Sequence, residues 1–423
     1  MYLTLQGVVS LRILFINTNC GVGSHGRICG ELAEEYEKKG YECKIAYGRD
    51  CSNKYSKYGY KIGNRISVYC DVLITRLFDA HEYSCSIATK KFLKWADDFN
   101  PDIVWLHNIH GYYLNYKLLF NWIKSKPNLI VKWTLHDAWA FTGHCGVFLT
   151  ENCEKWKTGC NNCPLRWDYP ESKVIDGSKR NYQRKQKAFT GVNNMTLITP
   201  SHWLADMVKL SFLKEYPVEV HHNRVDTTIF KPTSSDFRKK YDIVDKCLVL
   251  GVANVWPALK GLDDFLELAK MLDDNYVIAL VGLSRQQIDD IAQTENEFIK
   301  VNNTSDTPCV FEVSYNSKSN IEPDLNGVAF ESKSGIAITQ NVKVLYKELK
   351  SRYPANEKNN KGCKLILINR TSDAHELAGL YTTADVYVNP SHGDNFPTTN
   401  LEAKACGTFV ITYDVGGSKE TLY

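Results

Sequence analysis

The residues with the clearest chemical potential are two acids near the end of the chain, Asp394 and Glu402. Asp394 stands in a turn rich in Gly, Asn and Pro, directly after an apolar strand predicted at 384–389. Glu402 follows inside a predicted short helix, which Pro397 suits in its first turn and Gly407 suits at its far end. Carboxylates in these two positions can accept hydrogen bonds from the hydroxyl groups of a ligand.

The beginning of the same helix predicts a phosphate site. Backbone N–H groups at a helix N-terminus attract anions, and in a doubly wound sheet they face the carboxyl ends of the strands, where ligands bind. A phosphate at the helix start with a carboxylate on either side is the pattern of a nucleotide-sugar site. We therefore expect Asn395, Phe396, Pro397 and Glu402 to bind such a donor.

These residues also carry a family resemblance. An acid followed after seven residues by Glu, then Ala-x-Ala-Cys-Gly-Thr and a Gly-Gly turn, resembles the donor-site signature of retaining glycosyltransferases of family 4, which have the GT-B fold. That family usually has Glu at the first position, where this chain has the shorter Asp394. The resemblance implies that Glu402 binds the ribose and that Asp394 binds hydroxyl groups of the donor sugar.

Length and composition fit a globular protein of two domains. The chain has 423 residues, of which 43% are hydrophobic and 23% charged, and its net charge of +3 argues against a nucleic-acid binder. No apolar run is long enough to span a bilayer, and Met1 to Ser10 lack the basic region of a signal peptide. We predict a cytoplasmic protein, with a place at the inner face of the membrane as a second interpretation.

Strands and helices alternate along the chain, which predicts an α/β fold with doubly wound parallel sheets. One series begins with a strand at 11–17 and a helix at 28–39, and a second begins with a strand at 247–253. The resemblance implies GT-B architecture. We expect two Rossmann-like domains, 1–228 for the acceptor and 229–423 for the donor, facing each other across a cleft that holds the site.

Residues 293–362 depart from this alternation because they are rich in Asn, Ser, Lys and Asp, with weak periodicity. We interpret them as an insertion in the second domain that forms a surface subdomain, including a helix near 341–351. Relatives continue well beyond the Gly416-Gly417 turn, whereas this chain stops at Tyr423. We therefore expect a second domain that lacks its final elements.

The segment 21–26 follows the first strand, opens the first helix and matches the pattern G-x-G-x-x-G. Three interpretations stay open: the dinucleotide loop of a dehydrogenase, a glycine loop that lets amides approach a diphosphate or an acceptor, and a tight turn without a ligand. Only Asp50 offers the acid that a dinucleotide site needs. The resemblance implies the second interpretation, with Gly21 and Gly23 binding the donor.

Polar residues follow two further predicted strands. His107 and His110 follow the first, and His136 and Asp137 follow the second. A lone histidine is most often structural, but the carboxyl ends of parallel strands are where such sheets bind ligands. The second pair resembles the Thr-x-His-Asp segment of the family. This implies that His136 lies beside the anomeric centre, with His107, His110 and Asp137 on the acceptor side.

Fourteen cysteines in a chain without an export signal are expected to be reduced thiols. Four of them, in a loop at 143–165, are spaced closely enough to bind one tetrahedral zinc ion: Cys145, Cys153, Cys160 and Cys163. Structural zinc, a disulfide pair and plain thiols are alternative interpretations. The loop resembles one in a bacterial exopolysaccharide subgroup of family 4, the colanic-acid type.

Two cations are candidates for the nucleotide diphosphate. Lys260, followed by Gly261, is a point charge at a predicted helix start and resembles the end of the family's Arg-x-x-x-x-Lys-Gly, with Val255 at the arginine position. Arg370 resembles the segment that flanks the nucleotide base. The basic run 179–187 has two interpretations, a solvated helix face or attraction to anionic lipid head groups or a lipid-diphosphate acceptor.

The resulting hypothesis is a retaining hexosyltransferase acting from a nucleotide-diphosphate-sugar onto a polysaccharide or lipid-linked oligosaccharide. Its catalytic candidates are His136, Asp394 and Glu402, while Lys260 and the helix amides stabilise the leaving diphosphate without a catalytic metal. The hypothesis leaves peripheral contact with a membrane open, and it expects no binding of nucleic acid. The alternatives are a truncated, inactive nucleotide-sugar-binding remnant, a phosphorylase, an NAD-dependent dehydrogenase and a sugar-nucleotide epimerase.

Overall fold

A computed structural model describes residues 10–294, 299–303, 309–313, 330–332, 336–354, 362–371 and 373–422. The chain divides into two compact units, Met1–Asn223 and Arg224–Tyr423, whereas the sequence places this boundary after residue 228. The predictions for the first nine residues, for much of the segment 293–362 and for Tyr423 fall outside the described residues.

The first unit contains seven strands and six α-helices in its described part. The strands are β1 Arg12–Asn17, β2 Glu42–Tyr47, β3 Gly59–Lys61, β4 Ile103–Leu106, β5 Ile130–Thr134, β6 Met195–Thr199 and β7 Val218–Val220. The helices are α1 Gly23–Lys38, α2 Arg65–Phe78, α3 Ser86–Phe99, α4 Tyr116–Lys124, α5 Ser178–Phe189 and α6 His202–Lys209. The strands form one parallel sheet in the order β3-β2-β1-β4-β5-β6-β7.

The central strands of this sheet are apolar on both faces because helices cover both faces of a doubly wound sheet. Residues 13–16 of β1, for example, are fully buried. Helix α1 begins five residues before its predicted start at 28, since Gly21 and Gly23 adopt φ angles of 72° and 70° and turn the chain directly into the helix. A side chain at Gly21 would also collide with Tyr55, because its Cβ would lie 2.2 Å from the Tyr55 ring.

The second unit is described with nine strands and six α-helices. The strands are β8 Cys247–Val252, β9 Tyr276–Leu283, β10 Ile299–Asn303, β11 Cys309–Val313, β12 Phe330–Ser332, β13 Ile336–Thr339, β14 Lys364–Asn369, β15 Val386–Asn389 and β16 Phe409–Tyr413. The helices are α7 Phe237–Lys240, α8 Leu262–Met271, α9 Arg285–Thr294, α10 Val342–Arg352, α11 Ala374–Thr383 and α12 Thr398–Ala405. The sheet order is β10-β11-β14-β9-β8-β15-β16-β13-β12.

The predicted insertion is joined to this sheet and does not form a separate subdomain in its described part. The run from β14 to β13 is parallel, while β11 pairs antiparallel with β14 and β12 pairs antiparallel with β13. The helix expected near 341–351 is confirmed as α10. Its Leu345 and Leu349 lie four residues apart on one face and are fully buried in the same core as β9, so α10 belongs to the domain proper.

The structure confirms the predicted α/β fold with two Rossmann-like units, each with its own apolar core. Among the helices in the described ranges, none combines the length and the apolarity needed to cross a bilayer.

Candidate functional site

In the second unit, the loops that follow β8 and β15 bring together a cation and an acid. The Lys260 ammonium donates to Asp394 Oδ2 across 2.5 Å. The Lys260 side chain is one-third exposed and the Asp394 side chain is half as exposed, so both remain accessible to a ligand. The two residues that the sequence assigned to the diphosphate and to the sugar hydroxyls are therefore direct neighbours.

A close approach of two backbones holds these loops together. Gly261 has a φ angle of 73°, and a Cβ at this position would lie 2.3 Å from the Pro390 carbonyl oxygen, so only glycine fits here. The His392 N–H donates to the Leu259 carbonyl oxygen at 2.8 Å, and His392 Nε2 lies 2.7 Å from Asp264 Oδ2. Asp264 was not singled out in the sequence, and this contact gives it a role in positioning the loop.

Helix α12 follows the Asp394 turn and begins at Thr398. Pro397 occupies the N-cap, one position before the first turn in which the sequence predicted it, because its ψ angle of 114° is still extended. The first turn contains no acidic side chain, which leaves its positive dipole end suited to an anion.

Glu402 lies on α12 and is 4% exposed. The hydroxyl of Tyr381, on α11, donates to Glu402 Oε2 at 3.2 Å. Burial, together with this nearby carboxylate, raises the pKa of Tyr381 well above its usual value, so the hydroxyl stays protonated and keeps donating. The Glu402 carboxylate is thus held in one orientation by a residue that the sequence did not identify.

A chain of buried amides fixes α12 to the strand before it. Asn389 Nδ2 donates to Asn400 Oδ1 at 2.9 Å, and Asn400 Nδ2 donates to Thr421 Oγ1 at 3.0 Å. Asn400 and Thr421 are fully buried. Because buried polar groups are costly unless they are paired, these hydrogen bonds specify where α12 begins.

Arg370 is exposed one residue after β14. Strand β9 separates β14 from β8, so Arg370 stands apart from the Lys260–Asp394 pair in the sheet. Val255, at the position where the family has arginine, is 62% exposed. The role of Arg370 at the nucleotide base remains a prediction.

In the first unit, three histidines converge after the central strands. Strands β4 and β5 are neighbours, and His107 Nδ1 lies 3.1 Å from His136 Nε2, just beyond their carboxyl ends. The His25 ring, in the first turns of α1, has its centroid 5.9 Å from that of His136. Its Nδ1 lies 3.2 Å from Asn17 Oδ1. His25 belongs to the glycine-rich segment, and its position after β1 was the signal that could have identified it.

Burial favours the neutral form of these three imidazoles, of which His107 is fully buried and His25 and His136 are partly buried. It is the largest cause that lowers the pKa of His25 to about 4, the pKa of His107 to about 3 and the pKa of His136 well below its usual value. His25 also lowers the pKa of His107, and both of them lower the pKa of His136, because a second positive charge nearby is unfavourable.

His110 and Asp137 form a second pair in the same unit. His110 Nε2 lies 2.9 Å from Asp137 Oδ2, and His110 Nδ1 lies 3.2 Å from the Tyr169 hydroxyl. Burial alone would raise the pKa of Asp137, but the charge and hydrogen bond of His110 and the Trp139 N–H outweigh it and lower that pKa. A histidine oriented by a carboxylate can accept a proton from a hydroxyl group. Tyr169 comes from a loop without any sequence motif.

The four cysteines of the loop at 143–165 are free thiols. Cys145 and Cys163 are hydrogen-bonded to each other, and Cys160 Sγ accepts from the Gly143 N–H at 3.1 Å. The four sulfur atoms do not form a group in which three lie within 4.8 Å of one another, although the loop is fully described. A tetrahedral zinc site therefore requires Cys153 and Cys160 to move closer to the Cys145–Cys163 pair.

The basic run 179–187 is not a uniformly solvated helix face. Lys185 is buried, donates to the Trp139 carbonyl oxygen at 2.7 Å and lies 3.6 Å from the centre of the Trp139 ring. Arg184 stacks on the Tyr83 ring at 4.3 Å. Arg180 donates to the Asp79 carbonyl oxygen at 3.0 Å. Three of the five cations of the run therefore contact the folded chain, while Lys179 and Lys187 are exposed.

Parts of the chain are similar to known glycosyl transferases. Residues 346–422 match the model "Glycosyl transferases group 1", which covers both Asp394 and Glu402. WcaC of Escherichia coli (strain K12), named as a colanic acid biosynthesis glycosyl transferase, is 27% identical over 211 residues, 46% of this chain and 50% of that protein. A D-inositol 3-phosphate glycosyltransferase of Arthrobacter sp. (strain FB24) is 45% identical over 51 residues, 12% of each chain. These matches span half or less of the relatives' own lengths.

Solved structures establish the fold. Sucrose-phosphate synthase from Thermosynechococcus elongatus superposes with a TM-score of 0.56 at 13% identity, covering 98% of this chain and 84% of that one. HepE of Anabaena, solved in complex with UDP and glucose, gives a TM-score of 0.51 at 12% identity, covering 97% and 82%. The fold is thus that of GT-B glycosyltransferases, as predicted.

Proposed function

We propose that the chain is a retaining glycosyltransferase that transfers a hexose from a nucleotide-diphosphate-sugar to a polysaccharide or lipid-linked oligosaccharide. The observation that carries this proposal is the contact between Lys260 and Asp394, at 2.5 Å and next to the start of α12. One domain thereby supplies a cation, a helix N-terminus and a carboxylate. The match of residues 346–422 to the group 1 glycosyl transferases supports the proposal.

The diphosphate of the donor competes for the Lys260 ammonium. As the bond between the sugar and the phosphate oxygen breaks, negative charge grows on that oxygen. Lys260 and the amides at the start of α12 then attract the leaving group more strongly than they attract the intact donor. Stronger binding of the transition state than of the ground state is what accelerates the reaction.

The two carboxylates have separate tasks in this proposal. Asp394, once its ammonium partner binds phosphate, accepts hydrogen bonds from hydroxyl groups of the sugar. Glu402, oriented by the Tyr381 hydroxyl, accepts hydrogen bonds from the ribose. The carboxylate that meets the reacting sugar is therefore the more exposed of the two.

In the first unit, His136 is the residue that we assign to the anomeric centre, where positive charge develops as the bond breaks. A neutral imidazole suits this position because it offers a hydrogen bond without repelling that charge. The burial that lowers the pKa of His136 supports the assignment. We assign His107 to holding His136, and His110 with Asp137 to the acceptor hydroxyl.

We further propose that the loop at 143–165 binds a structural zinc ion through Cys145, Cys153, Cys160 and Cys163. The contact between two of these thiols and the amide donated to a third support it, since amide N–H groups stabilise sulfur ligands that carry negative charge.

Thermal unfolding in the presence of UDP-, GDP- and ADP-sugars tests the proposed function. A ligand that binds only the native state raises the unfolding temperature, and the sugar nucleotide that does so identifies the donor. Transfer of radiolabelled sugar to lipid-linked or polysaccharide fractions is then compared for wild type, Glu402→Gln and the exposed control Glu267→Gln. Loss of transfer in the first variant alone supports the proposal. Activity of Glu402→Gln within a few-fold of wild type contradicts it.

A further inference from the structure

Helix α2 exposes its apolar side chains to solvent. Four of them recur at intervals of three, four and four residues, which places them in one stripe along the helix. Their exposed fractions are 72%, 70%, 58% and 38% for Ile66, Tyr69, Leu73 and Leu77 respectively. A surface helix normally turns such a stripe towards the core.

The inward face of the same helix is polar. Asp71 and Thr75 lie opposite the stripe and are fully buried. The Asp71 carboxylate accepts the Glu82 N–H at 3.1 Å and the Ser84 N–H at 3.2 Å. Rotating the helix to bury its apolar stripe would leave these buried amides unpaired, so the outward position of the stripe is specified by the fold.

In the sequence that contains α2, exposure separates the charged residues by sign. Within residues 61–94, every cation is exposed and every carboxylate is buried. The cations are Lys61, Arg65, Arg76, Lys90, Lys91 and Lys94, and the acids are Asp71, Asp79 and Glu82. On α2 itself, the exposed charged residues are Arg65 and Arg76, one at each end of the helix, so the charge that the helix presents beside its stripe is positive.

A second segment enlarges the apolar surface at the end of α2. The Lys173 N–H donates to the Arg76 carbonyl oxygen at 2.8 Å, which places the next residues beside the helix. Val174 and Ile175 are 62% and 40% exposed. Glu171 is the carboxylate at this margin, and it lies 3.4 Å from the charged groups of both Arg76 and Lys173, so the positive charge still prevails.

We propose that α2, with the segment 173–175, is a docking surface for an anionic lipid bilayer. The helix lies in the plane of the interface, with its stripe among the acyl chains and with Arg65, Arg76 and Lys173 at the head groups. A second copy of this chain fits the surface poorly, because pairing two such faces would bring like charges together. The inference does not depend on sugar transfer, and either property can be absent without the other.

Sedimentation of the full chain with phosphatidylcholine vesicles, with and without phosphatidylglycerol, tests the proposal. We expect binding that requires the anionic lipid and weakens with salt. The variant Tyr69→Ser/Leu73→Gln/Leu77→Gln should bind at least about tenfold more weakly, because it removes most of the inserted apolar area. Leu210→Gln, which changes a residue 51% exposed outside this surface, should bind like wild type.

Cys70 reports directly on insertion because it is exposed at the margin of the stripe. An environment-sensitive fluorophore on Cys70 should shift its emission to shorter wavelength with phosphatidylglycerol vesicles, and Cys70→Ser measures labelling elsewhere. An unshifted emission, or equal binding of the triple variant, overturns the proposal. A dimer in solution that the triple variant dissolves, without vesicle binding, overturns it as well. The circular dichroism spectrum of the triple variant checks that it is folded.

Discussion

The Lys260 ammonium and the Asp394 carboxylate meet at 2.5 Å, and this contact joins the loop after β8 to the loop after β15. Under the proposed function, a donor diphosphate competes with Asp394 for this ammonium. The carboxylate that it displaces is then available to a sugar hydroxyl group. The proposed function therefore implies that binding of the diphosphate and binding of the sugar are coupled through one ion pair.

Replacing Lys260 by Ala should weaken the binding of a nucleoside diphosphate by about 10- to 100-fold, the effect of losing one hydrogen bond to a charged group. Isothermal titration calorimetry with UDP, or with the diphosphate found in the donor screen, measures the change. The exposed Lys239→Ala serves as the control, since it removes a positive charge elsewhere in the same domain. Equal losses in both variants would indicate a general effect of charge.

Asp394→Asn should affect binding of the diphosphate and binding of the sugar differently. The amide keeps the shape of the side chain but no longer competes as an anion for Lys260, so affinity for the nucleoside diphosphate should be unchanged or higher. The extra affinity of the sugar nucleotide over the diphosphate should fall by about tenfold. Titration of both ligands into wild type and variant gives the comparison. A parallel loss for both ligands would place Asp394 at the phosphates.

The lowered pKa values of His25 and His107 predict that acid destabilises the first unit. The pKa values of about 4 for His25 and about 3 for His107 lie below the ordinary value of about 6.5, so the unfolded chain takes up protons first as the pH falls. Their contribution is fully present above pH of about 6.5 and is lost as pH falls towards the folded-state pKa, by up to about 1.4 kcal/mol per pH unit for each histidine.

Urea unfolding between about pH 7.5 and pH 4.5 measures this slope. In the variant His107→Gln, the free energy of unfolding should depend less steeply on pH. The difference should correspond to about one proton fewer taken up on unfolding, because one titrating group is gone. Asp79 raises the pKa of His144, which gives the opposite dependence of stability on pH. This pair is present in both proteins and therefore does not affect the difference between them. Identical slopes would show that His107 is not kept neutral by burial.

The zinc proposal predicts one zinc per chain in protein purified without chelators. Mass spectrometry of the metal content should give this ratio for wild type and for Cys70→Ser, and much less for Cys163→Ser. The loop should also become more sensitive to proteolysis in Cys163→Ser, because the metal fixes a segment with little core of its own. Wild-type protein without zinc after growth in zinc-supplemented medium would contradict the proposal.

Sequence patterns predicted the parallel sheets well. The strands predicted at 11–17 and 247–253 are observed as β1 Arg12–Asn17 and β8 Cys247–Val252, and the strand predicted at 384–389 is observed as the shorter β15 Val386–Asn389. The contact between His107 and His136 also follows from the sequence pattern, because they lie one and two residues after strands that are neighbours in the sheet. Regular elements thus made part of the site predictable.

The remaining contacts arise from parts of the chain that carry no periodic signal. Lys260 and Asp394 are 134 residues apart in the sequence, and their pairing depends on how two loops pack at Gly261. Tyr169 reaches His110 from an irregular loop. The exposure of the apolar stripe of α2 could not be predicted either, because an amphipathic pattern shows that a helix has two faces but not which of them the fold buries.

The strands contributed by the segment 293–362 have a consequence for engineering this protein. Strand β11 covers the outer backbone groups of β14, and β13 covers those of β16. Excising the segment would expose a row of unpaired N–H and C=O groups on both sides of the sheet, a template for pairing with other chains. A shortened protein without this segment should therefore aggregate, even though the segment lies away from the strand ends that bear Lys260 and Asp394.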